Sequence, residues 1–182
     1  MIQLANFAVN TPAQLAVAAT LLATGLATSV SAQTPPALTE AQARAAIAPW
    51  YALFNLPVQG DVKTLQETLL TPDYISCTGN GSAPTDCWNR DTSIKVVGSF
   101  AKTIPDMKFE VKEVLVAGDR VIVRGEMSGT PAGDLFGGLI PHSGKSFKVM
   151  AIDIQTIKDG KIARTYHLEN WFSALVQLRA AK

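Results

Sequence analysis

The run from Lys145 to Leu178 constrains this chain most. It is two long stretches of strand-forming sequence separated by Asp159-Gly160, with a short apolar tail from Phe172 to Leu178. The favoured two-residue hairpin turn needs positive φ at both central positions, and Asp-Gly supplies it. The run therefore predicts a long β-hairpin followed by a helix over Ser173 to Arg179. Three ionisable side chains, Asp153, His167 and Glu169, lie inside these apolar and aromatic strands. A charge in such surroundings is costly unless it is paired, hydrated or used.

The rest of the chain supplies helices and two more strands. Thr39-Glu-Ala-Gln42 fits a capping box, with a helix running to Ala48. Pro49 is expected to kink that helix or to start a new one. Gly60-Asp61 opens a second helix that Thr71-Pro72-Asp73 ends, and Tyr74 to Cys77 reads as a short strand. Asn89 or Asp91 caps a third helix, which stops at Ile104-Pro105. Lys108 to Val116 and Arg120 to Ser128 read as strands about a Gly118-Asp119 turn, the first with a slip that suggests a bulge. Thr130 to Gly144 is a glycine-containing loop. Helices first and an antiparallel meander afterwards predict an α+β architecture, with helices on one face of a curved sheet and a pocket between them.

Composition bounds the partners and the compartment. The 182 residues carry 16 basic and 15 acidic side chains with no run of either sign, so neither nucleic acid nor an anionic membrane surface is expected as a partner. No charged residue precedes Glu40; an Ala/Leu-rich stretch and Val30-Ser31-Ala32 give residues 1–32 the layout of a secretory signal peptide, lacking only a basic start. Residues 33–38 then form a linker and 39–182 one domain, exported to the periplasm or beyond, with no membrane contact after processing. In that setting Cys77 and Cys87 are expected to form a disulfide, closing a loop that holds the glycosylation sequon Asn80-Gly81-Ser82. The cysteines have no nearby His for a metal site and lack redox spacing, so no metal is expected.

Four segments resemble SnoaL-like polyketide cyclases and ester cyclases of the nuclear transport factor two-like superfamily. They are Trp50-Tyr-Ala-Leu-Phe54, Gly60-Asp-Val62, the loop from Ser128 to Lys145, and Asp153 through Tyr166-His-Leu-Glu-Asn-Trp171 to Gln177-Leu178. The resemblance, over Thr39 to Leu178, implies a cone of helices on a strongly curved, mostly antiparallel sheet around an apolar cavity. It further implies intramolecular aldol ring closure without metal or organic cofactor, and dimerisation through the open sheet face. The family's general acid/base is an Asp seven residues before the terminal Gln-Leu. That position here is Asn170, whose amide cannot exchange a proton near neutral pH.

Other groups are candidates for that role. Asp153 is either an acid/base carboxyl with a midpoint raised by desolvation or a structural partner of Arg124. His167 is either a proton carrier or a satisfied half-buried histidine. Pairing about Asp159-Gly160 sets Asp153 opposite Tyr166, with His167 the next neighbour, and one step of register decides whether the two share a face. Glu169 either orients His167 or ends a strand in solvent. Asn170 and Tyr166 are candidates to hold an oxyanion, Asn170 alternatively capping the last helix. Trp50, Tyr51, Phe54 and Trp88 are candidate cavity walls or simple core. The ligand expected is a small apolar carbonyl compound, either transformed by proton transfer or merely bound.

Overall fold

The structure is a computed structural model describing residues 37–78 and 83–179. The expected leader, residues 33–36 of the linker and the sequon at Asn80 lie outside them.

Helix α1 (Glu40–Ala52) starts at the expected box: the Thr39 hydroxyl accepts from the Gln42 amide, and the Gln42 side chain accepts from the Thr39 amide. Pro49 neither ends nor restarts it but sits within its last turn. Proline removes one helical bond, to the carbonyl of Ala45. Ala45 is exposed, so water can serve that oxygen, while Ala43, Ile47, Trp50 and Tyr51 stay buried and hold the final turn against the sheet.

Asp61 caps α2 (Val62–Leu69), its carboxylate accepting from Thr64 N at 2.8 Å. Strand β1 (Leu70–Cys77) follows without a break, so the helix ends just before Thr71-Pro72-Asp73 as expected, but that tripeptide already belongs to the strand. Its pairing with the last strand shifts between Leu70 and Ile75, and a proline without a donor is tolerated in such an irregularity. The short β2 (Cys87–Asn89) pairs antiparallel with β1, setting Cys77 opposite Cys87, and the two are disulfide-bonded. Asn89 then caps α3 (Arg90–Thr103) through Thr92 N.

Four long strands complete the sheet: β3 (Lys108–Ala117), β4 (Arg120–Gly129), β5 (Phe147–Lys158) and β6 (Lys161–Glu169). Helix α4 (Trp171–Arg179) ends the described chain. The slip foreseen in β3 is a register shift between Val111 and Glu113. The order is β2-β1-β6-β5-β4-β3, antiparallel except where β1 runs parallel to β6. The foreseen meander of four strands thus gains two more at one side.

The β5–β6 hairpin turns where expected, with Asp159 at φ 52° and Gly160 at φ 74°. Its register starts as expected too, Lys158 opposite Lys161 and Ile157 opposite Ile162. Then Thr156 faces Arg164, leaving Ala163 as an extra residue on β6. This one-residue bulge sets Asp153 opposite His167 instead of Tyr166.

On β5 every second residue faces in: Phe147, Val149, Ala151, Asp153, Gln155 and Ile157 are all buried. Helices α1 and α3 supply Ile47, Trp50, Tyr51 and Val97 to the same core. Gly125 of β4 has a specific task there. A methyl group on it would fall inside the Phe109 ring, which stacks on Tyr51 at a centroid distance of 4.6 Å.

Candidate functional site

A cavity of about 510 Å³ opens between the inward sheet face, α1 and α3. Trp50 and Tyr51 line it from α1, Phe54 from the turn after it, Trp88 from β2 and Trp171 from α4. The turn that follows α1 brings Phe54 against Trp50, their rings edge to face at 5.3 Å. All of these but Trp88 also belong to the hydrophobic core or pack against it.

Into this apolar space the bulge turns one row of polar groups. Asp153 on β5 and His167 and Glu169 on β6 all line the cavity. Asp153 is only 5% exposed. Its Oδ2 accepts a hydrogen bond of 2.5 Å from the Tyr51 hydroxyl, which in turn accepts from Gln155 Nε2 at 3.0 Å. The direction of this chain is fixed, because Gln155 donates to Tyr51 and leaves the phenol proton for Asp153. One carboxylate oxygen is thereby occupied, and Oδ1 remains for other chemistry. Burial pushes the Asp153 carboxyl up to about 6, with the Glu169 charge adding to the rise; the Tyr51 bond and His167 oppose it. Burial and Asp153 together raise Tyr51 so far that it keeps its proton.

His167 Nδ1 lies 3.1 Å from Glu169 Oε1, and Trp171 Nε1 donates to Glu169 Oε2 at 3.3 Å. Burial disfavours the imidazolium, but the Glu169 bond and charge, with Asp153, outweigh it and raise His167. Burial likewise favours protonated Glu169, yet His167 and Trp171 overcome this and lower it. Each partner thus favours the charged form of the other, beside a carboxyl pushed up to about 6. The site can take up a proton on Asp153 and offer a hydrogen-bond donor from His167.

Two expected oxyanion holders lie elsewhere. Tyr166 pairs with Ile154, and both belong to the other face of the sheet, where Arg164 Nη1 donates to the Tyr166 hydroxyl at 2.9 Å. Alternation removes it from the cavity once the bulge puts His167 in. Asn170 is exposed and caps α4, its Oδ1 accepting from Ser173 N at 3.0 Å. Arg124 pairs with Glu113 at 2.9 Å and not with Asp153 or Glu169, because it too sits on the outer face. His142 is exposed in the loop, its amide held by Asp134.

Sequence reasoning missed Gln155, fully buried beside the acid, and Thr165, Ser76 and Ser93, which line the cavity. The parity of β5 and β6 was a usable signal for Gln155 and Thr165, which share the faces of Asp153 and His167. Ser76 and Ser93 carried none, since β1 and α3 reach the cavity only through the tertiary fold. Among the described residues, no group of three or more His, Cys, Asp or Glu is placed to hold a metal ion.

Comparison with known proteins follows this geometry. Residues 51–178 match the model of the SnoaL-like polyketide cyclase family. No curated protein matches the chain. Among solved structures, TsrD from Streptomyces laurentii superposes with a TM-score of 0.64 at 24% identity, over 79% of this chain and 99% of that one. Wild-type IdmH from Streptomyces antibioticus gives 0.63 at 24% identity, over 76% and 99%. A protein of ketosteroid isomerase-like fold from Catenulispora acidiphila, in complex with trimethylamine, gives 0.58 at 15% identity, over 75% and 93%. These likenesses establish the fold, with four helices on an open six-stranded sheet.

Proposed function

This chain belongs to the SnoaL-like polyketide cyclase family, and from that premise we propose that its cavity binds a small, largely apolar carbonyl compound and moves a proton next to the carbonyl without a cofactor. The observation that carries this is the placement of Asp153: a nearly inaccessible carboxyl in an aromatic cavity, directly opposite His167 and midpoint-shifted to about 6. A base works best when its midpoint lies near the working pH.

Asp153, ionised above its midpoint, takes a proton from the carbon beside the carbonyl through Oδ1. The electron pair of that C–H bond moves to the carbonyl oxygen, giving an enolate. His167, held protonated by Glu169, donates a hydrogen bond to that oxygen as its charge develops. This role falls to His167 because Tyr166 and Asn170 lie outside the cavity. Returning the proton to a different carbon completes an isomerisation. Attack of the enolate carbon on a second carbonyl of the same molecule, with protonation of the new alkoxide by Asp153, completes an aldol ring closure. Tyr51 and Gln155 hold the carboxylate in place throughout.

A second possibility has its own support. The family's acid/base position is Asn170, here occupied in capping α4, which suits a protein that binds without turnover. Exchange separates the two. Incubation with a neutral cyclic ketone in deuterium oxide is expected to label the carbons beside the carbonyl, with a pH midpoint near 6 that disappears in Asp153→Asn. Thermal stabilisation by the ketone without labelling supports the binder instead.

Export and self-association belong to the same proposal. The Cys77–Cys87 disulfide suits an oxidising compartment, and a mature amino terminus at Gln33 in culture supernatant or periplasm tests it. The outer sheet face carries the exposed apolar side chains Leu115, Met150, Ile152, Ile154 and Leu168, which supports a homodimer across that face.

A further inference from the structure

The cavity has a second polar region, away from the ionisable row. Tyr74 and Ser76 reach it from β1, Thr165 from β6 and Ser93 from α3. Their relative exposures are 1%, 4%, 2% and 3%. Thr165, Ser76 and Ser93 line the cavity directly. The Tyr74 hydroxyl donates to Thr165 Oγ1 at 3.0 Å, and the Ser76 and Ser93 hydroxyls lie against the same phenol oxygen. Ser76 and Thr165 are register partners on adjacent parallel strands, so the grouping is built by the sheet itself.

The inventory of protons gives this cluster its meaning. A hydroxyl donates one hydrogen bond and accepts two. Tyr74 spends its proton on Thr165. The Tyr74 oxygen can take the protons of Ser76 and Ser93, while the Thr165 proton and free lone pairs on all three aliphatic hydroxyls remain on the cavity side. Buried donors are rarely left unused in an otherwise apolar space. The cluster therefore offers the Thr165 proton and free hydroxyl lone pairs to an oxygen placed beside it in the cavity.

Charge decides what kind of oxygen fits. Among the described residues no lysine or arginine lines the cavity, while Asp134, Asp153 and Glu169 do, against His167. An anionic group would be left without a counter-charge there and would face these carboxylates. A neutral hydroxyl or carbonyl oxygen meets no such penalty.

We propose that Ser76, Ser93 and Thr165, backed by Tyr74, form a subsite for a second, uncharged oxygen of the substrate. This rests on the function proposed above and narrows its substrate to neutral carbonyl compounds bearing another hydroxyl or carbonyl. Thr165 precedes His167 by two residues on the same face of β6. That spacing sets the second oxygen roughly 7 Å from the oxygen that His167 holds. Plain hydrocarbon ketones fill only half of the polar complement, and acids are excluded.

The probes are β-tetralone and its six-hydroxy derivative, whose added hydroxyl lies across the fused rings from the carbonyl. Calorimetric titration of the full-length protein is expected to show the hydroxy ketone bound about five- to tenfold more tightly, the scale of one net neutral hydrogen bond. In Ser76→Ala/Ser93→Ala that preference is expected to fall below about twofold while β-tetralone affinity is kept. Thr165→Val, which preserves shape, is expected to reduce it in part. Equal affinity of the two ketones for the wild type, or a preference that survives both variants, overturns the subsite. If β-tetralone binds and exchanges through Asp153 but the hydroxyl adds nothing, only the subsite falls. If neither ketone binds, the subsite and the proposed function fall together.

Discussion

Replacing Tyr51 by Phe is expected to raise the Asp153 midpoint while leaving the cavity walls in place. Phe keeps the ring that stacks on Phe109 at 4.6 Å and removes only the hydroxyl that donates to Asp153 Oδ2. That bond favours the carboxylate, and it is the main influence holding the midpoint down against burial. A hydrogen bond to a charged group is worth about 1.5–3 kcal/mol. At about 1.4 kcal/mol per pH unit, its loss moves the midpoint up by about one to two units. Asp153 should then titrate near pH 7 to 8 instead of about 6. Gln155 Nε2 loses its acceptor in the same change and its Oε1 already lacks a partner, so stability should fall by about 1–3 kcal/mol. The assay is the pH dependence of the Asp153 carboxyl carbon shift by nuclear magnetic resonance, followed in parallel with the exchange rate of a bound ketone. Both midpoints should move upward together. An unchanged or lower midpoint would mean that the Tyr51 bond does not tune the acid, and the chain Gln155–Tyr51–Asp153 would lose its assigned role.

Other consequences can be measured independently. Because the folded Asp153 midpoint of about 6 lies above the ordinary 3.8, its protonated form stabilises the fold below about pH 4. That contribution fades as pH rises through 6, a swing of about 3 kcal/mol. Asp153→Asn should therefore gain stability relative to wild type at pH 8 compared with pH 4 in denaturant titrations; an identical effect at both values contradicts the shift. Gly125→Ala should push Phe109 off its site and cost about 1–3 kcal/mol, with altered Tyr51 fluorescence; a neutral outcome would show that the ring moves freely. Ile152→Glu places a charge in the middle of the exposed apolar sheet face; light scattering is expected to show a dimer for the wild type and a monomer for this variant. A monomeric wild type would remove the dimer proposal.

Local chemistry was the part of this fold legible in the sequence. The Thr39 box, the helix start after Gly60-Asp61, the Asn89 cap that was one of two offered and the Asp159-Gly160 turn each follow from a few adjacent residues. The errors arose where a distant contact outweighed a local signal. Pro49 suggests a kink or a new start, but the packing of Trp50 and Tyr51 carries one helix through it. Pro72 follows the helix end as expected, but the register shift of β1 accommodates it within a strand. The parallel contact of β1 with β6 joins residues about ninety positions apart, with no local mark to announce it. The bulge at Ala163 matters most for the site. Nothing in Ile162-Ala163-Arg164 requires an extra residue there, yet that single step exchanges Tyr166 for His167 on the inner face. The three ionisable residues stood out because charge is conspicuous in an apolar strand; the serine hydroxyls did not, because serine is unremarkable anywhere.

The account depends on a buried acid and a charged imidazole facing one ligand inside the cavity. A crystal structure with a bound substituted phenol, whose oxygen mimics an enolate, tests this most directly. The phenol oxygen is expected about 3 Å from the His167 ring, with the adjacent ring carbon turned toward Asp153 Oδ1. A phenol seated outside the cavity, or within it but away from both side chains, would contradict the proposed chemistry.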